Sequence, residues 1–103
     1  MERLSYNDFA QARVAQDLRL IDVREQDEFD QIRVKGAELF PMSLVQQGSL
    51  PQDDGRRVAL ICRSGARSAW VAQVMEANGF VDVINIEGGT LAAIAAGSDH
   101  VER

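Results

Sequence analysis

The chain has 103 residues, with 11 Lys+Arg against 16 Asp+Glu, a formal charge of −5, one cysteine (Cys62) and one histidine (His100). This length suits a single domain, residues 1–103, because two folding cores need roughly 200 residues. One cysteine excludes an internal disulfide, and one Cys with one His argues against a zinc site, which wants about four such ligands. The acidic balance argues against nucleic-acid and anionic-membrane partners. An apolar fraction of 46% and a charged fraction of 26% are those of a folded domain. The first eight residues lack the apolar run of a secretory signal. The longest apolar runs, residues 58–62 and 91–96, fall far short of the ~20 residues of a membrane helix. With an unpaired thiol, the expected setting is the cytoplasm.

In chain order, a short strand is expected near residues 3–4. Ser5 or Asn7 then caps a helix over 8–16, with Phe9, Ala12 and Val14 turned inward. Residues 18–23 read as a buried strand. Residues 25–32 read as a short acidic helix with Phe29 and Ile32 on one face; acids in its first turn suit the helix dipole, and the rest form a solvated face. A strand at 37–40 stops at Pro41, and 43–47 make a single helical turn. Residues 58–62 are the most apolar strand. Residues 68–78 are the best-patterned helix, with Val71, Ala72, Val74 and Met75 apolar and Gly79 at its C′ position. A strand at 81–86, a helix at 91–96 closed by Gly97 and a frayed tail at 100–103 with an inert His100 complete the chain. Alternating strands and helices make an α/β domain with a mostly parallel sheet. Fully apolar runs such as Ala59-Leu60-Ile61 need helices on both faces.

In open α/β sheets the ligand site lies beyond the carboxyl ends of the strands, and Cys62 ends the most apolar one. Arg63-Ser64-Gly65-Ala66 follow, then Arg67, which opens the best helix. Residues 56–67 hold Arg56, Arg57, Arg63 and Arg67 and no acid, whereas residues 25–30 hold Glu25, Asp27, Glu28 and Asp30 and no base. A loop with a central glycine can wrap its N–H groups around one point, backed by a helix N-terminus. Those dipoles and the nearby arginines favour thiolate over thiol. A drop of about two pKa units needs roughly 2.7 kcal/mol, and one arginine at about 6 Å supplies roughly 2–3 kcal/mol at an effective dielectric of about 20. The competing reading is a small buried hydrophobe, as strand-final cysteines often are. Two arginines, a glycine and two serines in the adjoining loop weigh toward a thiolate nucleophile for an anionic or sulfur-bearing substrate.

Cys62-Arg63-Ser64-Gly65-Ala66-Arg67-Ser68 resembles the active-site loop of the rhodanese-like sulfurtransferases, and the resemblance covers nearly the whole chain. Leu20-Ile21-Asp22-Val23-Arg24 with Glu28-Phe29 is similar to the family's first signature. Gly36-Ala37 with Pro41 is similar to its G-A-x-x-x-P turn. Gly79-Phe80 and Ile86-Glu87-Gly88-Gly89 are similar to its elements near the C-terminus. The resemblance implies a rhodanese-like α/β fold: a central, mostly parallel five-stranded sheet with helices on both faces. It also implies a ping-pong mechanism. Cys62 takes the outer sulfur of thiosulfate or a persulfide donor, holds it as a persulfide, and passes it to cyanide or a thiol. In that mechanism the loop of Arg63, Ser64, Gly65, Ala66 and Arg67 binds the substrate and stabilises the persulfide, with Arg63 and Arg67 on the donor's oxyanion group. Asp22 and Arg24 support the site as a structural pair. No metal or organic cofactor is required.

Cys62 to Arg67 is Cys-x4-Arg, one residue shorter than the Cys-x5-Arg of protein tyrosine phosphatases, and the smaller ring suits a sulfur atom better than a phosphoryl group. Two positions depart from the family pattern: Arg33 stands at a frequent histidine position and Ala93 at a frequent tryptophan position. Trp70 lies instead on the helix after the loop, as a core residue or a partner contact. The alternative function is a sulfur carrier that accepts persulfide from a partner protein, and a thiol-reducing or sulfur-relay protein is an expected partner in either case.

Overall fold

The computed structural model describes residues 1–103. In chain order the elements are β1 (Glu2–Ser5), α1 (Tyr6–Ala15), β2 (Arg19–Asp22), α2 (Gln26–Gln31), β3 (Arg33–Val34), β4 (Glu38–Leu39), α3 (Met42–Gln46), β5 (Val58–Ile61), α4 (Ala66–Ala77), β6 (Ile84–Glu87), α5 (Gly89–Ala96) and β7 (Val101–Glu102), with a 3-10 turn at Ser98–His100. The main sheet has five strands in the order β1-β6-β5-β2-β4, and every neighbouring pair is parallel. All five carboxyl ends therefore lie along one edge, with β5 in the middle.

Side chains alternate across a strand, and the central strand uses both directions. Val58, Leu60 and Cys62 pack with Val45 of α3 and Val71, Ala72 and Met75 of α4 on one face. Ala59 and Ile61 pack with Tyr6 and Phe9 of α1 and Ala93 of α5 on the other. All four β5 residues are buried, which is why this run shows no polar alternation. Helices thus cover both faces, and Cys62 belongs to the α4 side.

Several local expectations are corrected. Val14 is 86% exposed rather than inward. The buried stripe of α1 runs through Tyr6 and Phe9, and five residues beyond Phe9 the helix has turned by about 140°. The strand expected at 81–86 begins three residues later, because Asp82 has φ +55° and breaks the extended run. The C-terminal tail is not frayed: β7 pairs antiparallel with β3, and the Tyr6 hydroxyl lies 2.9 Å from His100 Nδ1. His100 is therefore an anchor of the tail. At the same end of α1, Ser5 is the cap, accepting the Asp8 N–H at 3.1 Å. No helix is long and apolar enough to cross a membrane.

Leu60 is fully buried in the centre of β5. Leu60→Ala is expected to lower unfolding free energy by about 2–5 kcal/mol, read as a shifted urea midpoint at unchanged slope.

Candidate active site

Cys62 leaves the carboxyl end of β5 and is 1% exposed. The chain then turns through Gly65, whose φ of +115° caps α4; an L side chain there would be strained. The Gly65 N–H donates to Cys62 Sγ at 3.1 Å, and the Ser68 hydroxyl lies 3.4 Å from the sulfur. On the outer side, α5 fixes the loop. Thr90 donates its N–H (2.9 Å) and its hydroxyl (3.1 Å) to the Cys62 carbonyl, and the Leu91 N–H donates to the Arg63 carbonyl at 3.1 Å. A trans peptide points its N–H opposite its C=O. Carbonyls drawn out toward α5 therefore leave the next N–H groups aimed away from it.

This approach is close enough to demand Gly89. A Cβ there would stand 2.4 Å from the Cys62 carbonyl oxygen and 2.6 Å from that of Arg63. The paired glycines after β6, recognised in the sequence only as a motif, are thus part of the cysteine loop's geometry.

Burial works against ionisation of Cys62. It is outweighed by the Ser68 hydroxyl, when its proton is turned to the sulfur, and by the backbone N–H groups of Ser68, Gly65 and Ser64, which hold the thiol below its ordinary value. Hydrogen bonds, more than arginine charge, produce this result. Arg67 grips Glu28 with both guanidinium nitrogens, at 2.7 and 2.9 Å. Arg24 grips Asp22 through two nitrogens at the end of β2, at 2.8 and 3.0 Å, with both side chains buried. Arg56 and Arg57 lie at the amino end of β5, roughly 15 Å from the thiol at ~3.3 Å per residue, and pair with Asp54 and Glu2. The basic stretch of the sequence is divided by the strand that carries it. Nor is the acidic helix only a solvated face: Glu28 holds Arg67, and Glu25 accepts the Ser43 hydroxyl at 2.7 Å.

Arg63 is exposed and takes part in none of the ion pairs of the molecule. It borders a cleft of about 150 Å³ between α2 and α5, with Arg24, Glu28, Thr90 and Leu91 also in the wall. A larger hollow of about 260 Å³ lies at the opposite end of the sheet around Arg57 and Val83 and contains no loop residue. Trp70 is 42% exposed on α4. Two residues escaped the sequence reading: Asn85 of β6, whose amide bonds both Gly65 and Ser68, and Thr90. The signal for Asn85 was an amide amid isoleucines.

Fold and loop together define a parallel α/β domain built around a hydrogen-bonded cysteine cradle, and comparison with known proteins gives its family. Residues 5–96 match the rhodanese-like domain family, and the chain belongs to it. It is 40% identical over 79 residues to a protein of Mycobacterium tuberculosis named "Probable adenylyltransferase/sulfurtransferase MoeZ", covering 73% of this chain and 20% of that one. It is 34% identical over 79 residues to a protein of Allochromatium vinosum named "Sulfurtransferase", covering 75% of this chain and 72% of that one. The structure superposes on a rhodanese-like domain protein from Staphylococcus aureus with TM-score 0.82 and 26% identity, over 99% of this chain and 97% of that one. Several relatives are longer: the chain spans a fifth of MoeZ and 44% of a Synechocystis relative.

The Arg67 guanidinium beside Glu28 holds its carboxyl down to about 2, against a usual 4.5, despite some burial. A lowered carboxylate contributes stability that is complete above 4.5 and is lost as pH falls toward 2. Glu28→Gln is expected to be less stable than the natural protein at pH 7 by about 1 kcal/mol, after screening of a partly exposed pair. Urea midpoints across pH should show the gap closing between 4.5 and 2; a gap independent of pH would contradict the pairing.

Proposed function

We propose that residues 1–103 act as one unit that transfers sulfane sulfur through a Cys62 persulfide, from thiosulfate or a persulfide donor to cyanide or a thiol. The observation that carries this reading is the Gly65 N–H placed 3.1 Å from Cys62 Sγ, on a loop whose carbonyls bond outward to α5. Fixed N–H groups around one sulfur favour an anion there without reorganising during reaction. Membership of a family with relatives named as sulfurtransferases supports it further.

The chemistry balances without an external oxidant or reductant. The Cys62 thiolate attacks the outer sulfur of thiosulfate, the donor's S–S bond breaks, and its electron pair leaves with sulfite. The negative charge now rests on the outer sulfur of the Cys62 persulfide. Cyanide attacks that sulfur, the new S–S bond breaks, and its pair returns to Cys62 as thiolate while thiocyanate departs. A thiolate acceptor follows the same path and becomes a persulfide. The loop N–H groups serve the anion at both stages. Arg63, free of any carboxylate, meets the donor's sulfonate; Arg67, already held by Glu28, positions the start of α4. The reading belongs to a reducing, cytoplasmic setting, where acceptor thiols stay reduced.

A sulfur-carrier role is the second reading, favoured by a Bacillus subtilis relative named "Putative sulfur carrier protein YrkF", 32% identical over 72 residues, covering 70% of this chain and 39% of that one. Two measurements separate the roles. Thiosulfate and cyanide should yield thiocyanate with repeated turnover, abolished in Cys62→Ser. A Cys62 adduct of one sulfur atom by mass spectrometry without turnover would indicate the carrier, and neither adduct nor turnover would overturn both. Arg63→Ala is expected to raise KM for thiosulfate roughly five- to tenfold, the worth of one ionic contact screened by solvent at an exposed arginine, with kcat nearly unchanged. An unaltered KM would remove Arg63 from donor binding.

A further inference from the structure

Asn85 stands between Ile84 and Ile86 in the middle of β6 and is 1% exposed. Its Nδ2 donates to the Gly65 carbonyl at 3.2 Å, and its Oδ1 lies 2.5 Å from Ser68 Oγ. The Gly65 carbonyl, which also accepts the Ala69 N–H at 3.2 Å, has no proton to give. The amide nitrogen must therefore face it, and the amide oxygen must face Ser68. That oxygen carries no proton either, so the hydrogen in the 2.5 Å contact is the Ser68 hydroxyl's.

Ser68 has one such proton and three acceptors within reach: Asn85 Oδ1, the Gly65 carbonyl at 3.2 Å and Cys62 Sγ at 3.4 Å. While the proton points at Asn85, the Ser68 oxygen can meet the sulfur only as an acceptor, an arrangement that suits the thiol S–H. A thiolate needs the reverse: the Ser68 proton turned to the sulfur, and the Asn85 oxygen left buried without its donor.

We infer that Asn85 is a positioning residue that competes with the Cys62 sulfur for the single Ser68 proton, and so sets how readily the thiol becomes thiolate. When Cys62 ionises, the S–H bond breaks, the proton leaves to solvent and the pair stays on sulfur. The Ser68 O–H bond stays intact and only rotates. The same rotation is required when an acceptor removes the outer sulfur and the pair returns to Cys62. This second consequence rests on the sulfur-transfer reading; the first does not.

The charged groups around the thiol are Arg67 on α4, paired with Glu28 of α2; Arg24 at the end of β2, paired with Asp22; and Arg63 on the loop. At the end of β6, Glu87 lies 3.9 Å from Arg3 of β1. The first turn of α5 presents Thr90, which is uncharged. None of these groups bonds to Asn85, so changing Asn85 leaves their charges in place.

The test is the pH dependence of iodoacetamide alkylation of Cys62, the only thiol in the chain. It needs no sulfur donor, so its outcome is independent of whether sulfur transfer occurs. Asn85→Ala is expected to lower the alkylation midpoint and raise the rate below it roughly three- to tenfold, because no buried oxygen is orphaned by ionisation. In a Ser68→Ala background the same substitution should change the rate less than about twofold, because there is no hydroxyl to compete for. An equal shift in both backgrounds, or a midpoint that stays or rises in Asn85→Ala, overturns the inference. The natural protein supplies a check that survives poor folding of the Asn85 variants. The Asn85 13Cγ resonance should move upfield as Cys62 ionises and stay fixed in Ser68→Ala; equal movement in both overturns the inference as well.

Discussion

The site depends on one backbone contact, the first turn of α5 against the loop after β5. Hydrogen bonds from Thr90 and Leu91 take the carbonyls of Cys62 and Arg63, which fixes the orientation of two successive peptide planes. With those carbonyls facing outward, the Arg63 and Ser64 N–H groups of the same planes point away from α5, and the Gly65 N–H of the next plane reaches the sulfur. The contact closes only because position 89 has no side chain. A methyl there would overlap the Cys62 carbonyl oxygen at 2.4 Å, a clash with backbone that no rotamer change relieves. The environment of Cys62 is thus set by a segment more than twenty residues downstream, brought alongside by the parallel pairing of β5 with β6.

The same geometry explains how an acidic protein can hold an anion without a net positive pocket. Two of the three arginines nearest the thiol are neutralised by carboxylates in two-point pairs, Arg67 by Glu28 and Arg24 by Asp22. What remains is a set of fixed N–H dipoles around the sulfur and a single uncompensated guanidinium, Arg63, at the rim. Dipoles act over short range and favour an anion at one point, whereas a bare buried cation would attract any anion in solution. Under the sulfur-transfer reading the charge on Cys62 is one negative unit before and after the outer sulfur is gained, while a dianion arrives and a dianion leaves. A site that stabilises the resident charge through dipoles, and meets the transient one with a single surface arginine, is not blocked by its own leaving group.

The fold was legible because its main signals are local. The unbroken apolar run of β5 reflects burial on both faces, and Gly65, needed at φ +115°, marks the loop by its place between two arginines. The errors have physical causes of two kinds. Val14 and the start of β6 failed on geometry that one residue decides: the angular position on α1, and the positive φ of Asp82. The basic stretch and the acidic helix failed because sequence distance is a poor guide to charge distance. A four-residue strand separates Arg57 from Cys62, while Glu28 and Arg67, 39 positions apart, share a two-point bond. The C-terminal anchor was invisible because β7 is only two residues long and its partner β3 equally short.

Asn85 shows how a functional constraint can look like a packing defect in the sequence. An amide between two isoleucines on a central strand should cost stability unless both of its ends are bonded, and here no buried side-chain polar atom lacks a partner. Satisfaction of Asn85 and of a thiolate cannot both be complete, however, because Ser68 brings one proton to two acceptors. Complete bonding belongs to the thiol form, and the ionised form must leave one buried oxygen short. A folded state that is best satisfied in its resting form, with several N–H dipoles favouring the reactive one, keeps the two forms closer in free energy than either network alone would. Under the sulfur-transfer reading Cys62 must ionise readily yet remain a strong nucleophile, and that near-balance is more useful than the strongest attainable stabilisation of the thiolate, since nucleophilicity falls as thiol pKa falls.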